Sequence, residues 1–134
     1  MRASTRTSAA TSGLTTDAHR RAAAAAVAAA AKKAEDVVVL DVGDVLGIAD
    51  LFVIASGTNR RQVKTIVEEV ERALHERGVA PRSTEGLDDT SWVLLDYGDI
   101  VVHVFLDETR RYYDLERLWA DAPRLDWAQF EAAV

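Results

Sequence analysis

At 134 residues with no cysteine, the chain is long enough for one domain whose core needs no disulfide or metal staple, and thiol catalysis and Cys-based zinc sites are excluded. Its net charge of −6 is unevenly spread, at +4 over residues 1–35, −3 over 36–87 and −7 over 88–134. The acidic second half lacks the cations that displace counterions from nucleic-acid phosphates, so no direct DNA contact is expected and a basic protein partner suits it better.

Residues 1–14 are polar and of low complexity, and are expected to be disordered. They carry no apolar signal core, and no run is apolar enough to span a bilayer, so the expectation is a cytoplasmic protein without a membrane partner. Thr15, Thr16 and Asp17 can cap a helix through the alanine-rich stretch to Lys32 and Lys33, since alanine has the highest helix propensity. With only Val27 as a large anchor, it should lie close against a sheet through small side chains. Asp36–Gly43 and Ala49–Gly57 are β-branched runs that predict two buried strands, separated by a turn at Gly43, Asp44 and Gly47.

Thr58 or Asn59 can cap the next helix, Arg60–Arg77, in which Val63, Ile66, Val67, Val70 and Leu74 form one stripe. Gly78 closes it and Pro81 keeps it from resuming. Val79–Glu85, polar and containing Pro81, predicts a short edge strand. Trp92–Leu95 and Ile100–Leu106 flank the turn Asp96–Asp99 and predict an antiparallel hairpin. Ile100, Val102, Val104 and Leu106 face one side of its second strand, and Val101, His103 and Phe105 the other.

Asp107, Glu108 and Thr109 offer capping and first-turn residues for a helix to about Trp119. On it Tyr112, Leu115 and Trp119 share one side with Leu118 at the margin, while Tyr113 and Arg117 project from a neighbouring one. After Pro123, Asp126 can cap a short terminal helix carrying Trp127, Phe130 and Val134. The order is α, β, β, α, β, β, β, α. It predicts an α/β domain with a mixed sheet of about five strands and helices on its faces, divided into residues 1–14, a domain at 15–120 and a tail at 121–134.

Catalytic chemistry finds little support in these residues. The junction Ser56-Gly57-Thr58-Asn59 before a helix could hold an anion on backbone N–H groups, yet it lacks the lysine and glycine spacing of a phosphate loop. Asp41, Asp50, Asp96 and Asp99 lie at strand ends, but none forms an Asp-x-Asp pair that would place two carboxylates on one face. His103, between Val101 and Phe105, reads as a hydrogen-bonded core histidine. The three histidines are far apart and without ligand spacing, and no cofactor or metal is expected. Tyr, Trp and Arg are enriched at binding hot spots, which makes the helix after the hairpin the first place to seek a partner.

Five segments, DVVVLDV, IADLFVIASGTNRRQV, Glu85-Gly86 ahead of the Trp92 strand, LLDYGDIVVHVF and ETRRYYDLERLW, together resemble the ribosomal silencing factor (Iojap) family over about residues 17–120. That resemblance implies a domain similar to the nucleotidyltransferase fold without its catalytic acids, hence a binding protein and not an enzyme. It also implies binding to the large ribosomal subunit through ribosomal protein fourteen, which blocks joining with the small subunit and represses translation. By motif position the partner-facing residues are Trp92, Asp96, Tyr113, Leu115, Glu116, Leu118 and Trp119. A small nucleotide-handling enzyme is the alternative, and its mark would be paired acids beside the Gly57 loop. A homodimer stays open. The alanine helix, the Arg/Ser/Thr-rich start and the tail depart from the family pattern.

Overall fold

The computed structural model describes residues 16–43, 49–114, 117 and 120–128. Helix α1 (Asp17–Ala31) starts at Thr16, whose side chain accepts the His19 backbone N–H. Seven of its alanines are buried, so the helix backbone approaches its neighbours closely, as its small side chains predict. Strand β1 (Glu35–Asp41) follows, then β2 (Leu51–Gly57), which is buried along its whole length. Helix α2 (Arg60–Glu76) buries the predicted stripe Val63, Ile66, Val67, Val70 and Leu74. Gly78 follows it with φ +79°, the left-handed closure that glycine adopts without a Cβ penalty.

Gln62 joins the two helices. Its Nε2 donates to the Lys32 and Lys33 carbonyls at 3.2 and 3.0 Å, satisfying the C-terminal end of α1. Its Oε1 accepts the Thr58 N–H at 2.7 Å, and its own N–H donates to Asn59 Oδ1 at 2.8 Å. Asn59→Ala should therefore cost about 1 kcal/mol of stability, the usual worth of an N-cap, read as a lower urea midpoint with unchanged m-value.

Strands β3 (Ser83–Glu85), β4 (Trp92–Asp96) and β5 (Ile100–Leu106) come next, then helix α3 (Asp107–Tyr113) and strand β6 (Arg124–Leu125). The sheet order is β3-β4-β5-β2-β1-β6. Only β2 and β5 run parallel, with Leu51 beside Ile100 and Gly57 beside Leu106, and the other pairs are antiparallel. Successive side chains alternate across the sheet, so two cores form. Val53, Ala55, Val93, Leu95, Val102 and Val104 pack with α1 and α2. Leu40, Val42, Phe52, Ile54 and Phe105 form a smaller cluster on the opposite face.

The sheet is mixed as predicted, with differences in detail; the edge strand, for one, spans Ser83–Glu85 and not the whole of Val79–Glu85. The sheet has six strands where about five are expected: β6 pairs with β1, and Asp41 N–H donates to the Pro123 carbonyl at 2.8 Å. Two residues are too few to show a period of two, and Pro123 reads as a breaker although a sheet edge tolerates it. Helix α3 stops at Tyr113, because Asp114 is left-handed at φ 49° and donates its N–H to the Arg110 carbonyl. Its N-cap is Leu106, with no side-chain cap bond; Asp107 instead accepts from Arg111 at 2.5 Å. Strand β1 starts at Glu35 with a register shift before Val38, and Asp36 sits at φ 49°. The short terminal helix begins at Trp127, whose Nε1–H donates to the Val37 carbonyl at 3.1 Å; Phe130 and Val134 lie outside the described residues.

Candidate partner-binding surface

Trp92, Leu94 and Asp96 alternate with the buried Val93 and Leu95. They pair with Phe105, His103 and Val101 across the hairpin, so all six point to the sheet face opposite α1 and α2. Trp92 is the pivot of this face. Its ring stacks on Phe105 with centroids 4.8 Å apart, and Tyr113 lies tilted against it at 5.0 Å. Its Nε1–H donates to His103 Nδ1 at 3.1 Å, while Phe52 meets the His103 ring edge-on at 4.6 Å.

The indole N–H can only donate, so His103 Nδ1 is unprotonated and its proton sits on Nε2. Nε2 is buried without a hydrogen-bond partner among the described residues. Burial holds the imidazole pKa down at about 4. His103 is thus the core histidine that its position on β5 predicts, and it fixes the orientation of the Trp92 ring.

Tyr113 is 53% exposed and Tyr112 82% exposed, with rings perpendicular at 5.1 Å. Tyr112, on the side that the helical spacing shares with Leu115 and Trp119, is thus exposed, and Arg110 is the buried residue of α3 instead. Trp92 and Asp96, four residues apart on one strand face, are separated by about 13 Å. Asp96 accepts the Gly98 N–H at 2.8 Å, which serves the hairpin turn. Of the sequence-derived surface residues, Trp92, Asp96 and Tyr113 are thus described. Leu115, Glu116, Leu118 and Trp119 lie outside the described residues. Leu94 and Val101, both half-buried, share the face; the alternation on β4 and β5 is the signal that could have added them. Gly86 closes the turn beneath Trp92, where a Cβ would lie 2.1 Å from the Trp92 carbonyl oxygen, closer than any side chain permits.

The candidate catalytic acids sit elsewhere. Asp41, Asp50 and Asp99 line a cavity of about 480 Å³ with His19, at the end of β2 remote from Gly57, roughly 20 Å away along a seven-residue strand. Asp99 accepts from Arg21 Nη1 at 2.7 Å and Asp41 from the Gly43 N–H at 3.2 Å. Among the described residues, no group of three or more His, Asp or Glu could hold a metal ion. At the Gly57 junction, the Thr58 and Gln62 N–H groups are taken by the Gln62 and Asn59 side chains. That leaves the loop poorly suited to cradle an anion.

The family model for "ribosomal silencing factor during starvation" matches residues 15–134. The chain belongs to the ribosomal silencing factor family. Ribosomal silencing factor RsfS of Bacillus subtilis is 44% identical over 93 residues, covering 69% of this chain and 79% of that protein. A mouse protein named for mitochondrial assembly of the ribosomal large subunit is 36% identical over 89 residues, 64% of this chain and 39% of its own length. A crystal structure from Chromobacterium violaceum superposes with TM-score 0.75 at 35% identity, covering 78% of this chain and 88% of that one. One from Bacillus halodurans gives 0.68 at 39%, covering 77% and 93%. In this silencing-factor chain the described parts of the segments that carry the family pattern fall on β1, on β2 with the start of α2, on the β4–β5 hairpin and, up to Tyr113, on α3. Among the described residues no helix is long and apolar enough to cross a membrane.

Proposed function

We propose that this chain binds the large ribosomal subunit through ribosomal protein fourteen and blocks joining with the small subunit. It acts in the cytoplasm by occupying a surface and not by catalysis. The observation that carries the reading is the half-exposed Tyr113 ring packed on Trp92. A rigid aromatic pair presented by a β-hairpin and a short helix has the composition of an interface hot spot. Leu94 and Asp96 extend the contact along β4. Leu115, Glu116, Leu118 and Trp119 continue it by motif position, and residues 15–120 carry the activity. The −7 charge of residues 88–134 suits a basic ribosomal protein, and a patch of ~800 Å² per partner fits a domain of this size.

The purified protein should co-sediment with large subunits and not with small ones. Isolated ribosomal protein fourteen should capture it without ribosomal RNA, and association should weaken severalfold as salt rises from 0.05 to ~0.3 M, because screening shortens the reach of the acidic surface. Capture that depends on RNA, or that strengthens with salt, would refute the charge argument.

A further inference from the structure

We infer that Arg110 is a positioning residue for the partner surface: through the β1 bulge it holds α3, and with it Tyr113, against Trp92. The inference rests on the partner reading above. A seven-residue helix is too short to persist alone in water, and α3 has no side-chain N-cap. Glu108, Arg111, Tyr112 and Tyr113 are exposed, and Arg110 is the one residue of the helix that is buried, at 5% exposure. Apart from the half-exposed Tyr113 ring on Trp92, α3 therefore has no buried apolar side chain to fix where it sits.

The guanidinium supplies the attachment. Arg110 Nη1 donates to Ser56 Oγ at 3.0 Å and to the Glu35 carbonyl at 3.3 Å, and the Ser56 hydroxyl itself donates to Glu35 O at 3.1 Å. The Glu35 carbonyl lies at the point where the β1–β2 register shifts, between Glu35 and Val38. Bulges re-aim backbone groups beside functional sites. Three groups from α3, β2 and β1 thus meet in one hydrogen-bonded triangle. Arg110 and Tyr113 stand at i and i+3, on one side of the helix, so fixing the guanidinium also fixes where the Tyr113 ring lands.

The triangle separates positioning from folding. Without Arg110, the Ser56 hydroxyl still pairs with Glu35 O, and β1 and β2 keep their ladder. Only α3 loses its tether. Both bonds leave the one Nη1, whose two hydrogens lie in the guanidinium plane, whereas the ammonium of lysine keeps the charge and a donor without that fixed planar geometry.

The test compares Arg110→Met, Arg110→Lys and Trp92→Ala in the full chain. It reads affinity for purified large subunits and amide hydrogen exchange across α3, β2 and β5. Arg110→Met is expected to speed exchange of the Asp114 N–H at least tenfold, leave β2 and β5 protected, and weaken large-subunit binding at least tenfold. Arg110→Lys should recover part of both. Unchanged exchange in α3, unchanged affinity, no recovery by lysine, or loss of protection in β2 and β5 together with α3 would each overturn the positioning role. Trp92→Ala separates this from the parent reading: if that variant binds large subunits undiminished, the partner surface itself is wrong, whatever Arg110 does to α3.

Discussion

Tyr113→Glu should weaken association with large subunits by at least ~30-fold, the equivalent of losing a hot-spot side chain worth ~2 kcal/mol. The ring is half-exposed and touches Trp92 and Tyr112, so it adds little to either core cluster. Its loss should cost the domain only about 1 kcal/mol, the typical worth of one aromatic pair. At a contact the introduced carboxylate has to be desolvated where an aromatic ring had packed, which adds to the lost area. Tyr113→Phe keeps the ring and should retain most of the affinity. Thermal melts alongside a subunit-joining assay separate the two effects. A variant that folds normally and still blocks joining would remove Tyr113 from the partner surface; one that unfolds would make the residue part of the core.

Much of the fold was legible in the chain because its signals are local and repeated. The alternation on β5 assigns Val102 and Val104 to one face and His103 and Phe105 to the other, as the two core clusters confirm. The stripe on α2 was equally plain, since five apolar residues at helical spacing leave one solution. What escaped was decided by single residues or by tertiary pairing. Asp114 ends α3 by adopting a left-handed backbone, which asparagine, aspartate and glycine do more readily than others. An aspartate in a charged, aromatic stretch does not announce such a stop. Strand β6 exists because the edge of β1 was unpaired, a fact that belongs to β1 and not to Arg124 and Leu125.

The surface was legible in a different way. Family resemblance brought Trp92, Asp96 and Tyr113 together by motif position, and the structure adds the tilted ring contact of Tyr113 with Trp92 and the common strand face of Trp92 and Asp96. The role of Arg110 could not be read from the chain. One arginine of an Arg-Arg pair turns inward and the other outward, and the groups that the inward one meets, the Ser56 hydroxyl and the Glu35 carbonyl, lie fifty-four and seventy-five positions earlier.

Acid should uncouple this surface through His103. Its Nδ1 accepts from Trp92 Nε1–H, so a second proton would place N–H against N–H in a site that is 4% exposed. Burial accordingly holds the folded-state pKa at about 4, against 6.5 for the free imidazole. Below pH 6.5 the unfolded chain takes up the proton and the folded chain does not. The stability associated with neutral His103 is therefore present above pH 6.5 and is lost as pH falls from 6.5 towards 4. Over that window the loss should reach ~3 kcal/mol at 1.36 kcal/mol per pKa unit. The informative quantity is a difference between proteins, in which contributions from other groups cancel. His103→Gln keeps an acceptor for the indole and does not titrate. Its stability at neutral pH should be lower, because the amide fits the aromatic cage of Phe52, Trp92 and Phe105 less well, but its decline between pH 6.5 and 4 should be shallower by about 3 kcal/mol. Urea denaturation at half-unit pH steps measures both slopes. Parallel slopes would show that His103 becomes charged in the folded protein without penalty, and the bond that orients Trp92 would then not depend on a neutral imidazole.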